Sequence, residues 1–263
     1  MNPIGLGSYR GVSIAKERIG YMDLEFGQIF GSYRRDFVPI EAGILVGDAD
    51  GSILDIECSQ FDFDGNLVMR KNSVDSLGNP IGIEEKVINP SRNSTSAFDP
   101  WYRISRSERK EISKLAGTTF QSLREFSENV LKDHDIKKLV FFGAQEDLNL
   151  LKRSGLSISS IGIRDLQREL RNEIGHDLSL DKASLIIGYG CEETLVYSNH
   201  FSYDLPDEFG SQLIPHKAVG DIARIFLLHR EMEDHKESLI SSAISLLQRI
   251  ESYRESDEEV PIF

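Results

Sequence analysis

Residues 137–155 read "KKLVFFGAQEDLNLLKRSG". Four apolar residues in a row (139–142) are too few for a helix, and Lys138 and Gly143 bound them. Such a run reads as a short strand buried on both faces. Beyond Gly143, Leu148 and Leu151 fall on one helical face and Gly155 supplies a stop, so a helix follows at once. Strand, tight loop, helix is a βα unit, which puts the chain in the α/β class.

Upstream the pattern is β-rich. Residues 19–26 read as a strand, and "FVPIEAGILVGDADGSILDIECSQF" (37–61) gives two strand-like runs around "GDADG". Asp and Gly tolerate positive φ, so that stretch marks a hairpin turn. "FDFDGN" (61–66) marks another turn, and residues 71–100, with "SLGNPIG" and "NPSRNSTSAFDP", read as loop.

Downstream the pattern is helical. "TTFQSLREFSENVLKDHD" (118–135) spaces Phe120, Leu123, Phe126, Val130 and Leu131 as one helix face. "SISSIGIRDLQREL" (157–170) offers a strand or a helix start, and "SLDKASLIIGYG" (179–190) a short capped helix. Residues 216–256 read as helix with a break near 231–236. The expected fold is therefore α/β: a mixed β-sheet flanked by helices, with antiparallel early strands, a parallel later one and a C-terminal helical extension. The expected organisation is a lead-in (1–16), one domain (17–232), and a C-terminal helix with an acidic tail (233–263). The apolar stripe Leu239, Ile240, Ala243, Ile244, Leu247 and Ile250 either caps the core or pairs with a second copy as a homodimer.

Composition narrows the function classes. With 40% hydrophobic residues in 263, a sizeable core is within reach. A formal charge of −13 argues against a broad basic surface that coats long nucleic acid. A local site is still open, because bound cations reverse the sign where it matters. Cys58 and Cys191 form no CxxC, which gives neither a disulfide framework nor a zinc site and fits a reducing cytoplasm. The opening "MNPIGLGSYRGVSIAKERIG" lacks the apolar run of a secretory signal, and no stretch is long and apolar enough to span a membrane.

Four acidic positions carry the candidate chemistry. Asp23 and Glu25 flank Leu24 on one strand, so both carboxylates face the same side of the sheet. Asp147 follows the apolar strand at a helix start, and Asp221 stands at the start of a long helix, just after His216. Carboxylate oxygens are hard ligands suited to Mg²⁺ or Mn²⁺. Two such ions can clamp one phosphate and activate a water, and an imidazole such as His216 can take that water's proton.

The motifs "DLE" (23–25), "GAQED" (143–147) and "HKAVGD" (216–221), in this order, resemble those of the DEDDh 3′–5′ exonucleases, relatives of the DnaQ proofreading subunit with an RNase H-like fold. "PIEAGILV" is similar to the family's second strand, and "SLDKASLIIGYG" to the stretch before its last motif. "INPSR" with "ISRSERKEISKLAGTTFQSLREF" is similar to its segment leading to the helix over the site. The likeness runs from about Arg18 to Arg230, and the four residues between His216 and Asp221 match the histidine branch, not the tyrosine branch. With 43 acids in 263 residues, an acid-x-acid triplet arises by chance about 7 times, so the weight lies in the conjunction and order of the motifs.

The resemblance implies a two-metal site with Mg²⁺ or Mn²⁺ on Asp23, Glu25 and Asp221, Asp147 completing it directly or through water, and His216 as general base. It implies release of nucleoside 5′-monophosphates from single-stranded or frayed 3′ ends of DNA or RNA. The chain departs from the family after Glu25, where Phe26 and the longer "GQIFGSYRRDF" stand. Phe26 or Phe30 is expected to stack on the terminal base, and Arg103 and Arg106, beside Trp101 and Tyr102, to contact the strand. The alternatives are a catalytically silent exonuclease fold that binds nucleic acid or serves as a scaffold, and an RNase H-like endonuclease.

Overall fold

The computed structural model describes residues 17–29, 37–63, 67–74, 80–88, 106–214 and 216–256. The expected lead-in (1–16) and acidic tail (257–263) lie outside them. In chain order come β1 (Arg18–Ile29), β2 (Phe37–Asp48), β3 (Ile53–Gln60), β4 (Leu67–Val74), β5 (Pro80–Ile88) and α1 (Arg106–Asp133). Then follow β6 (Lys138–Phe141), α2 (Gln145–Ser154), β7 (Gly162–Asp165), α3 (Leu166–Ile174) and α4 (Leu180–Ile186). A small antiparallel sheet, β8 (Gly190–Glu192), β9 (Leu195–Tyr197) and β10 (Ser202–Asp204), leads through a 3₁₀ helix (Asp207–Gln212) to α5 (Ala218–Asp234) and α6 (Lys236–Ser256).

The main sheet is mixed and is built around β1. On one edge β1 pairs antiparallel with β2, and β2 with β3. The β2–β3 turn is the expected "GDADG": Gly51 has φ 83°, and the Asp48 carboxylate accepts the amides of Asp50 and Ser52. On the other edge β6 runs parallel to β1 over Ile19–Tyr21, and β7 runs parallel to β6. The chain is thus an α/β protein with a mixed sheet flanked by helices.

Residues 71–100 are not simply loop, since β4 and β5 form a hairpin that reaches β1 at Gln28 and Ile29. The register sets Arg70 opposite Glu85 and Lys71 opposite Glu84, and Pro80 and Gly82, residue types that mark turns, fall inside β5. The turn chemistry between them (75–79) and residues 89–100 lie outside the described residues. Residues 157–170 supply both of the elements their pattern offered, β7 and then α3.

Alternation along β1 divides the core. Met22 and Leu24 join Val38, Ala42 and Ile44 of β2 under α1 and α2, against Phe120, Leu123, Leu150 and Leu151. Ile19 and Tyr21 face the other way, into a cluster with α3, α4, α5 and α6. Helix α5 is buried on nearly every side, and Asp221, Arg224, His229 and Glu231 are buried in it beside its apolar residues. Of the α6 stripe, Leu239, Ala243 and Ile250 are buried in the same cluster as α5, with Leu246 beside them, whereas Ile244 is exposed; the break before α6 falls at His235. Among the described residues, no helix is long and apolar enough to cross a membrane.

A polar chain crosses the α5 side of this core. The Tyr21 hydroxyl lies 2.8 Å from Nδ1 of His229, and Arg164 donates to Nε2 of the same ring at 2.6 Å. Arginine is always a donor, so Nε2 accepts and Nδ1 carries the proton. Arg164 is held in turn by Glu169 and Glu233. Burial first, and the Arg164 cation second, lower the His229 pKa from 6.5 to about 4. A depressed histidine stabilises the fold above pH 6.5, and that contribution is lost as pH falls through 4. The linked free energy is at most about 3 kcal/mol. Chemical denaturation between pH 7 and 4 should therefore show a smaller loss of stability in His229→Gln than in the wild type; equal slopes count against a buried neutral imidazole.

Candidate metal centre

The two strand acids point where the alternation requires. Asp23 and Glu25 share the face of β1 that carries Tyr21, towards α5, and sit opposite Gly43 and Glu41 of β2. Helix α5 meets the sheet at this point. A Cβ at Gly43 would lie 3.1 Å from the Ala218 carbonyl carbon, so the glycine permits a close approach of the helix start. Glu41, buried, accepts the Ala218 amide on Oε1 (3.1 Å) and the Lys217 ammonium on Oε2 (3.2 Å). It satisfies an orphan donor and sets a negative charge at the positive end of the helix.

That docking delivers the last motif. His216 has φ 62°, a conformation rare outside glycine, and its backbone amide bonds to the Asp221 carboxylate. Gly220 packs against the preceding segment so closely that a Cβ there would lie 2.3 Å from the Ile214 carbonyl oxygen. The outcome is convergence: ligand atoms of Glu25, His216 and Asp221 all lie within 4.8 Å of one another.

Asp147 arrives from the other edge. Pairing of β1 with β6 ends at Tyr21↔Val140, the chain leaves through Gly143 (φ 76°), and α2 begins. The Leu24 amide, left without a strand partner on that edge, is taken by the Asp147 Oδ1 at 3.0 Å. Asp165 braces the turn, accepting the amides of Gly143 and Ala144 and those of Gln167 and Arg168 at the start of α3.

The four carboxyls are electrostatically strained. Burial raises the Asp23 pKa well above the usual carboxylate range, helped by Asp221, Asp147 and Glu25. Burial, then Asp221 and Glu41, raise Glu25 from 4.5 to about 8. Asp147 rises to about 7 through burial, against the pull of the Leu24 amide. Asp221 is raised by burial and held back by Arg224. Crowded buried carboxyls with raised pKa values mark a candidate functional site.

The remaining expected contacts fare differently. Phe26 packs on Phe37 (centroids 4.8 Å apart) against the α1-side core, across the sheet from Asp23 and Glu25. Its ring is occupied by packing, because even positions of β1 face α1; the base-stacking expected of it draws no support from this placement. Phe30 and Arg103 lie outside the described residues, and Arg106 is the first residue of α1.

Sequence reading missed Glu41, Arg224, Asp165, Ser184 and Asp181, all of which brace the centre. Only Glu41 left a trace, as a lone acid in an apolar strand. A second acidic group, Asp55 and Glu57 with His134 at 3.4 and 3.9 Å, differs in that both its carboxylates are exposed. Compared with known proteins, the chain matches no family model and no curated protein.

Two measurements test this geometry. Gly220→Ala should lower the melting temperature and weaken stabilisation by Mn²⁺, because the Ile214 backbone must move; Gly117→Ala, with open space in α1, is the control and should be neutral or stabilising. For Glu25, a raised pKa stabilises the metal-free fold fully below pH 4.5, and that stability is lost as pH rises through about 8. Glu25→Gln should therefore flatten the fall in metal-free stability between pH 4.5 and 8, and an unaltered pH profile would contradict the assigned burial.

Proposed function

We propose that the chain is a metal-dependent 3′–5′ exonuclease of the DEDDh type, with an RNase H-like fold. It acts on single-stranded or frayed 3′ ends of DNA or RNA and releases nucleoside 5′-monophosphates. One observation carries the reading: Glu25, His216 and Asp221, nearly 200 residues apart in the chain (216 − 25 = 191), bring ligand atoms within 4.8 Å of one another. The order of elements, antiparallel hairpins followed by parallel strands in βα units, supports the fold assignment.

The donor set fits a hard divalent cation. Asp23, Glu25 and Asp221 would hold it, with Asp147 completing the site directly or through water; a set of carboxylate oxygens suits Mg²⁺ or Mn²⁺. Lys217 lowers the pKa of Glu25, and Arg224 and His216 lower that of Asp221, but burial outweighs them in both. Such ions supply Lewis-acid polarisation of a phosphoryl oxygen and a water of lowered pKa. The chain's own part is to orient and to move a proton. His216, fixed beside Asp221 by its backbone amide, presents an imidazole that can accept the proton of the attacking water. Asp147 ties the site to the β1 backbone, so the strand acids and the α2 start keep one geometry.

Oligonucleotides of DNA and of RNA labelled at the 5′ end, with circular single strands beside them, form the test. Mn²⁺-dependent shortening from the 3′ end is expected, and circles should survive because an exonuclease needs an end. Asp23→Asn should abolish release, and His216→Ala should slow it about 100-fold or more while leaving the fold intact. Cleavage of circles, or undiminished release by both variants, overturns the proposal.

A further inference from the structure

Arg224 is buried on α5, one turn after Asp221, and its three nitrogens are each committed. Nη1 donates to the Asp221 Oδ1 at 2.8 Å, Nη2 to the Asp181 Oδ1 at 2.6 Å, and Nε to the Ser184 hydroxyl at 2.7 Å. Asp181 and Ser184 both belong to α4, three residues apart on one face. A buried cation needs such pairing. The surrounding core could have been closed with an apolar side chain, as at Ile222, Ala223 and Ile225 beside it. Instead a guanidinium, whose planar fork fixes direction as well as charge, spans from α4 to one oxygen of a site carboxylate.

The geometry points to Arg224 as a positioning residue that, anchored by Asp181 and Ser184, fixes the orientation of the Asp221 carboxylate beside Glu25 and His216. This rests on the reading of the centre given above. Two opposed effects follow. Arg224 orients Asp221, which favours turnover, and its charge repels a divalent ion, which loosens binding. Asp181 tempers that charge: with Asp181 in place, the guanidinium is shared between two carboxylates, and without it Asp221 bears the whole cation.

The full-length chain tests this with two variants and two readouts: calorimetric titration of MnCl₂ without substrate, and nucleotide release at saturating Mn²⁺. Arg224→Met should tighten Mn²⁺ binding about fivefold, since a cation leaves the side of Asp221. Its turnover should fall about 10- to 100-fold, since the carboxylate is then held by the His216 amide alone. Asp181→Asn should loosen Mn²⁺ binding by about fivefold, the opposite sign.

A purely structural role would move both affinities in one direction, and that result overturns the inference, as does turnover within about twofold of wild type in a folded Arg224→Met. Should Arg224→Met not fold, Asp181→Asn decides alone: loosened Mn²⁺ binding supports the inference, and unchanged or tighter binding overturns it. Wild-type protein that binds no Mn²⁺ overturns the reading of the centre itself, whereas Mn²⁺ bound equally by all three proteins overturns only the role of Arg224.

Discussion

The docking of the α5 N-terminus onto β1 and β2 is the constraint on which the rest depends. Glu41 grips the Ala218 amide and the Lys217 ammonium from the sheet, and Gly43 lets the helix backbone come close. Only because that contact exists do His216 and Asp221 meet Glu25 of β1. The helix itself is held by its apolar body, with Ile222, Ile225, Phe226 and Leu227 fully buried. Each such side chain contributes roughly 2 kcal/mol by leaving water. The hydrophobic core therefore supplies the free energy that crowds like charges together.

That crowding is costly to the metal-free fold. Asp23, Glu25, Asp147 and Asp221 all have raised pKa values, with burial the first cause in each case. The braces lower the cost in different ways. The Leu24 amide favours ionised Asp147, and the Arg224 guanidinium favours ionised Asp221. Asp23 and Glu25 are each pushed up further by three neighbouring carboxylates. Local consistency is broken here and restored elsewhere in the fold, which is the usual signature of a functional site.

Much of this was legible in the chain. The run "LVFF" followed by Gly143 and the Leu148 and Leu151 face became β6 and α2, closed by Gly155 with φ 84° as its stop. The "GDADG" turn, the short helix capped by Ser179 and the α5–α6 break were equally readable, because each rests on chemistry within a few residues. The β4–β5 hairpin was not, since Pro80 and Gly82 at the start of β5 read as turn residues. The small β8–β10 sheet was not either, since three-residue strands carry no periodicity to detect.

Sequence by itself determined the local elements and the face that Asp23 and Glu25 share, because side-chain alternation along a strand is a property of backbone geometry. It also named the five candidate residues in order. Tertiary structure alone decided that Glu25, His216 and Asp221 come within one ion's reach and that Phe26 is turned to the opposite face. It also decided that Glu41, Asp165 and Arg224 brace the centre. The physical reason is range: periodicity and turn chemistry act over a few residues, whereas a carboxylate's partner across 177 positions is set by how a helix lands on a sheet.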